Sequence, residues 1–179
     1  MTTQAEIPTL ASLDSISYIN EQGQLPESLQ GKIGVYAIFD AEEVLQYVGY
    51  SRDIYLSLRQ HLVRQPQSCY WIKVQTIDRP SRTILEEIRQ AWIAENGSIP
   101  RGNAEQAEQW NQPINVKPLM TEEENTTHEN LDGIDQEKHL RQVARRIESQ
   151  ILELLKERGL QEEIRFNPKL KTSGLLDLK

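Results

Sequence analysis

The chain has 179 residues, room for one compact domain and an appendage on a scale of ~100 to 200 residues per domain. Apolar residues make up 37% of it, and the longest near-continuous apolar run, Ile33 to Phe39, falls far below the ~20 residues of a membrane-spanning helix, so a membrane protein is excluded. A net charge of -7 speaks against bulk coating of nucleic acid, the single cysteine (Cys69) forbids an intrachain disulfide, and His61, His128 and His139 are too few for a zinc-type cluster.

The N-terminus, Met1 to Glu6, has neither a basic nor an apolar leader, and the expected location is the cytoplasm. Leu10, Leu13, Ile16 and Ile19 have helical spacing and predict a helical lead-in within residues 1–30. Ile33 to Phe39 then reads as a buried strand, closed by Asp40 to Glu43, and Val44 to Gly49 as its hairpin partner. Ser51 or Asp53 can cap a helix carrying Ile54, Leu58 and Leu62, which ends before Pro66. Cys69 to Ile77 predicts a third strand. The apolar stripe Ile84, Leu85, Ile88, Ala91 and Trp92 predicts a second helix, stopped by Asn96 and Gly97. The expected class is α+β: a small mixed, mainly antiparallel three-stranded sheet flanked by helices.

Between Arg52 and Arg101 eight basic residues face five acidic ones, so a local basic region persists within an acidic chain. Met120 to Gln136, by contrast, holds six acids and no lysine or arginine, and residues 120–136 read as a disordered acidic linker after a domain at 31–119. In the last segment, 137–179, Leu140, Val143, Ile147, Ile151 and Leu154 line one face of an amphipathic helix. That face must cover something, either the domain or a protein partner. Ile164 to Asn167 and Leu175 to Leu178 predict a short extended contact beyond it.

The informative residues are Gly34-Val35-Tyr36 and Tyr47-Val48-Gly49, with ten residues between the tyrosines. At the edges of a hairpin these would bring two phenols together, the glycines leaving the adjacent surface open to a ligand; on physical grounds alone plain strand packing is the commoner role of tyrosines there. At these residues the chain resembles the GIY-YIG nuclease family, over about Gly31 to Asn103. Within it, Val44 to Arg52, Trp92-Ile93 and Pro100 to Asn103 are most similar to the GIY-YIG-type domain of a plant plastid glutaredoxin and its cyanobacterial stand-alone relatives. Thiol transfer is not carried by that likeness, which stops short of any glutaredoxin module.

The resemblance implies cleavage of nucleic-acid phosphodiesters, in DNA or RNA, with a tyrosine-assisted water, an arginine on the first helix and a glutamate on the second holding one divalent ion, Mg²⁺ or Mn²⁺. Tyr36 and Tyr47 match directly, Gly34, Gly49 and Ser51 belong to the same motif, and His61 matches the family's frequent histidine. The arginine position is Ser57, leaving Arg52 as a substitute from outside the helix. The acid position before Trp92-Ile93 is Arg89, a candidate binding residue that with His61 or Arg52 would supply positive charge, leaving Glu86 one turn earlier as the candidate metal ligand, although a solvated salt bridge to Arg82 or Arg89 is the commoner role for such a residue. Two functions follow: a metal-dependent nuclease with a rearranged site, or a catalytically inactive scaffold that binds nucleic acid or protein.

Overall fold

The computed structural model describes residues 6–179; the leader-free stretch read at residues 1–5 lies outside them. The described chain forms two compact units, one ending at Trp110 and one spanning Asn111 to Lys179.

The first unit is built on strands β1 (Ile16–Ser17), β2 (Ile33–Phe39), β3 (Leu45–Ser51) and β4 (Trp71–Ile77), in the antiparallel order β1-β4-β2-β3. The expected three-stranded sheet thus gains a short edge strand. It comes from the segment where a helical lead-in was expected, which forms only a 3-10 turn at Leu10–Ser12 before β1. Distant side chains claim the backbone there. Glu95 accepts from the Leu10 and Ala11 amides (2.8 and 3.1 Å), Lys73 Nζ donates to the Leu10 carbonyl (2.8 Å), and the Trp92 indole donates to the Pro8 carbonyl (2.9 Å). Four apolar residues at helical spacing cannot outcompete groups that satisfy the same amides and carbonyls from outside.

Helices α1 (Ile54–Arg64) and α2 (Arg82–Asn96) follow β3 and β4. Asp53 caps α1 by accepting from the Leu56 amide (3.2 Å), Ser81 caps α2 by accepting from the Ile84 amide (3.3 Å), and Gly97, with φ of 81°, closes α2 in a conformation that only glycine adopts cheaply. Leu85, Ile88 and Trp92 of α2 pack with Val35, Ala37 and Val48 on one face of the sheet. Strand alternation sends Tyr36 and Tyr47 to the other face, toward α1. The unit ends in a 3-10 turn at Arg101–Asn103 and α3 (Ala107–Asn111).

The second unit contains β5 (Ile114–Asn115), α4 (Glu122–Glu129), α5 (Gly133–Glu157) and β6 (Leu175–Leu176), with β5 and β6 antiparallel. The segment expected to be a disordered linker is instead mostly helix. Thr121 and Glu124 form a reciprocal capping box, the acids at 122–124 occupy the first turn where the helix dipole favours negative charge, and Arg146 of α5 grips the Glu124 carboxylate (2.6 and 2.9 Å). Three acids in a row look like a solvated tail until the cap and the distant arginine are included. The apolar face of α5 (Leu140, Val143, Ile147, Ile151 and Leu155) is buried, and the tail residues Pro168–Ser173 and β6 pack on the helix. The extended contact expected in the tail is present as β6 and a Phe166–Leu178 bridge. Among the described residues no helix is long and apolar enough to cross a membrane.

Candidate functional site

Register builds the site. Tyr36 on β2 lies opposite Gly49 on β3, and Ile38 opposite Tyr47, so the two tyrosines are diagonal neighbours on one face. Their rings are 6.1 Å apart, and His61, on the face of α1 that meets this side of the sheet, closes a triangle at 5.5 Å from Tyr36 and 4.6 Å from Tyr47. The Tyr36 hydroxyl and His61 Nε2 are in hydrogen-bond contact at 2.8 Å. Trp110 completes the cluster by stacking on Tyr47 at 5.1 Å, nearly parallel.

Both motif glycines are filled by protein. A Cβ at Gly49 would stand 2.5 Å from Tyr47 Cε1 and 2.9 Å from the Tyr36 hydroxyl, so glycine here is what lets the two rings close over the strand. At Gly34 a Cβ would collide with the Gln75 carbonyl and stand 2.8 Å from Thr76 Cα, so that glycine serves the close approach of β4. The open ligand surface expected beside these glycines is therefore occupied by the protein itself.

Electrostatics follow from burial. Desolvation pushes the Tyr36 phenol well above its usual value, neighbouring Tyr47 adds to the shift, and the Ser57 hydroxyl opposes it. Desolvation also pulls His61 down to about 3, assisted by the positive charge of Arg64 and opposed by the Trp110 carbonyl. At neutral pH both groups are uncharged. His61 Nδ1, fully enclosed, makes no well-formed hydrogen bond.

Ser57 occupies the face where the family's arginine is expected, and its short side chain engages in a hydroxyl relay. Ser57 Oγ donates to Ser51 Oγ (2.7 Å), which donates to the Asp53 carbonyl (2.9 Å). Arg52 is exposed in the turn after β3, and no hydrogen bond or ion pair joins it to the tyrosines or His61 among the described residues. Positive charge reaches the cluster from Arg64, whose guanidinium donates to the Trp110 carbonyl (3.1 Å).

Glu86 and Arg89 are on α2, the helix that packs on the opposite face of the sheet, although Arg89 still feels Tyr47 electrostatically. Arg89 donates to both oxygens of Glu86 (2.5 and 3.2 Å), Gln90 donates to one of them (2.9 Å), and the Arg89 guanidinium lies over the Tyr50 ring at 6.0 Å. These donors, Arg89 first, hold the Glu86 carboxyl at about 2. A divalent ion needs several oxygen donors carrying uncompensated negative charge. Here one carboxylate is already neutralised by a guanidinium, and the donor set does not fit the ion. Among the described residues no group of three or more His, Cys, Asp or Glu is placed to hold a metal.

The structure thus gathers Tyr36, Tyr47, His61, Gly34, Gly49 and Ser51 about one face, pairs Glu86 with Arg89 elsewhere, and leaves Arg52 in solvent. Three contributors escaped the sequence reading. Trp110 lies 49 residues from His61, with no local pattern to announce it. Arg64 shares the face of Ser57 but lies about two turns further along α1. Asn103 pairs with the open edge of β3, its amide accepting from the Val48 N–H and donating to the Val48 carbonyl at 2.8 Å each. The Pro-Arg-Gly-Asn run was the signal for this last one.

Comparison with known protein families finds no match. Among curated proteins, an 81-residue stretch is 36% identical to the bifunctional monothiol glutaredoxin-S16, chloroplastic, of Arabidopsis thaliana, covering 43% of this chain and 28% of that protein. The chain is therefore similar, over less than half its length, to a minor part of a glutaredoxin protein.

Proposed function

We propose that the unit ending at Trp110 is a GIY-YIG nuclease-like domain that engages nucleic acid and whose site is degenerate for metal-assisted cleavage. One observation carries the reading: the tyrosines of the two tripeptides meet around His61, while the candidate metal ligand, Glu86, is held by Arg89. Water attack on a phosphodiester needs a base with a pKa near the working pH, and positive charge where the phosphoryl oxygens become more negative. Burial pushes Tyr36 up and His61 down, each away from neutrality, so neither is tuned for that proton. The exposed Arg52 and Arg82 are placed to meet phosphates, whereas Lys73 is engaged with the Leu10 carbonyl.

The relative is named a monothiol glutaredoxin. That chemistry needs an accessible thiolate, and Cys69, the single cysteine, is fully buried with Sγ donating to the His61 carbonyl at 3.6 Å. Monothiol chemistry is accordingly no part of this proposal. The chloroplast in that name belongs to the relative, and a cytoplasmic location for this chain is part of the proposal.

The test is cleavage of plasmid DNA and single-stranded RNA with Mg²⁺ or Mn²⁺, beside an intact family member. Loss of one preorganised stabilising group costs ~10² to 10³ in rate, so with arginine and ligand both displaced no cutting, or only trace cutting, is expected. Comparable cutting that Glu86→Ala abolishes would establish the other reading, a rearranged but active nuclease using Glu86 and a divalent ion.

A further inference from the structure

The second unit carries a surface that the nuclease-like reading does not use. On α5, Lys138, Arg141 and Arg145 are exposed, and at 100° per residue they fall within about 60° of one another around the helix. None of the three makes a hydrogen bond or ion pair among the described residues. The other cations of the unit's interior side are spent: Arg146 on Glu124, and Lys171 on Glu148 at 2.5 Å. Acids border the stripe without pairing with it: Asp135 stands one turn before Lys138 and Glu137 one turn before Arg141, both exposed, while Glu148, one turn after Arg145, is held by Lys171, and Glu153 and Glu157 lie on the flank towards the end of the helix. Lys156 extends the same row towards the end of the helix.

We propose that this cationic stripe of α5 is a nucleic-acid backbone contact, an accessory surface in a chain read as a nucleic-acid binder. The inference rests on that reading and extends it to a second element. Lys138 to Arg145 spans about 10 Å of helix, about three nucleotide steps of one strand. Two of the three cations are arginines, whose planar fork suits phosphate. A membrane surface fits less well, because an interfacial helix lays its apolar face into the lipid, and here that face is covered by the chain's own tail. An acidic polypeptide fits less well too. A protein partner draws most of its affinity from buried anchors, and only Ile134 and Leu152 stand exposed along the stripe, so charge must supply the binding. A phosphodiester strand offers charge at the highest linear density.

The experiment uses the full chain and fluorescein-labelled 20-nucleotide single-stranded and 20-base-pair duplex DNA, titrated by anisotropy over a range of salt. The triple variant Lys138→Gln, Arg141→Gln, Arg145→Gln is expected to bind at least about tenfold more weakly at low salt and to flatten the log–log salt slope by about 2 to 3, three phosphate contacts at ~0.9 each for duplex. Arg165→Gln, at an exposed arginine already paired with Glu163, should change neither. A triple variant with unchanged affinity and slope overturns the inference, and so does stripe-dependent binding to phosphatidylserine vesicles or polyglutamate in a chain that ignores DNA. A parallel Arg52→Gln, Arg82→Gln variant separates the two readings. If it alone loses binding, the stripe falls and the nuclease-like unit stands as the binder; if the stripe variant alone does, the stripe stands and the first unit's phosphate contacts fall. A parent chain that binds no nucleic acid removes both.

Discussion

His61 should make the first unit acid-labile in a way that can be measured residue by residue. Its imidazole is enclosed, and burial holds its pKa at about 3 against about 6.5 in an unfolded chain. The folded form therefore refuses a proton that the unfolded form accepts. Above pH ~6.5 both states are neutral at this residue and it carries no penalty; as pH falls below ~6.5 unfolding gains about 1.4 kcal/mol per unit, until the folded group itself protonates near 3. At pH 5 the loss is about 2 kcal/mol, a large share of the 5 to 15 kcal/mol typical of a domain. Tryptophan fluorescence isolates the effect, because Trp71, Trp92 and Trp110 all lie in the first unit. Urea melts at pH 7.5 and 5 should be compared with the same pair for His61→Gln, which keeps an acceptor for the Tyr36 hydroxyl but does not titrate. The difference between the two proteins cancels every other group, and it should narrow by about 2 kcal/mol on acidification. Curves that stay parallel would sink the argument and place His61 in contact with water.

Gly49→Ala places a methyl against Tyr47 and the Tyr36 hydroxyl, and should cost about 1 to 3 kcal/mol in a urea melt while shifting tyrosine and tryptophan spectra, because the stack over β3 has to open. A neutral result would mean that the rings are not closed over the strand. Asn103→Ala strands the Val48 amide and carbonyl on the edge of β3, for a loss of about 1 to 3 kcal/mol; hydrogen exchange at the Val48 amide should accelerate and the Tyr36 amide should not. Thr121→Ala breaks the capping box of α4, a helix with no buried residue, and should make residues 122–129 the first site of proteolysis for about 1 kcal/mol of helix stability; equal protection in both chains would show that Arg146 alone holds the helix.

The hairpin and the two helices that frame the site were legible because each signal is local. Alternation and a motif place Tyr36 and Tyr47, and Asp53, by its side chain, and Gly97, by its backbone, mark helix ends locally; the cap of α2 is Ser81, just beyond the Asp78–Pro80 stretch that signals its start. The errors fall where long-range partners decide. Leu10 to Ile19 has a helical spacing, yet Glu95 and Lys73 take the backbone groups at its start, and Trp92 the Pro8 carbonyl just before it, from 63 to 85 residues away. Residues 120–136 carry the composition of a tail, and the local clue against it, a threonine three residues before a glutamate, was present but outweighed by charge counting; Arg146, 22 residues on, decides it. In the site, the face of Ser57 and the row of Glu86 and Arg89 were readable from helix geometry. Their partners were not, since no spacing rule brings Trp110 onto Tyr47.

Under the nuclease-like reading proposed above, the two departures from that family's pattern make electrostatic sense together. An intact phosphodiesterase site must keep unbalanced charge in place, a cation for the phosphoryl oxygens and an anion for the metal, at a cost in stability that substrate repays. Beside Tyr36 stands the short hydroxyl of Ser57, and burial keeps the phenol and the imidazole neutral and hydrogen-bonded to one another. On α2 an arginine stands where the acid would be and neutralises the one carboxylate within reach. Restoring only one partner therefore creates a conflict: Arg89→Glu alone sets two carboxylates one turn apart with no cation between them, and Ser57→Arg alone buries a guanidinium among neutral rings.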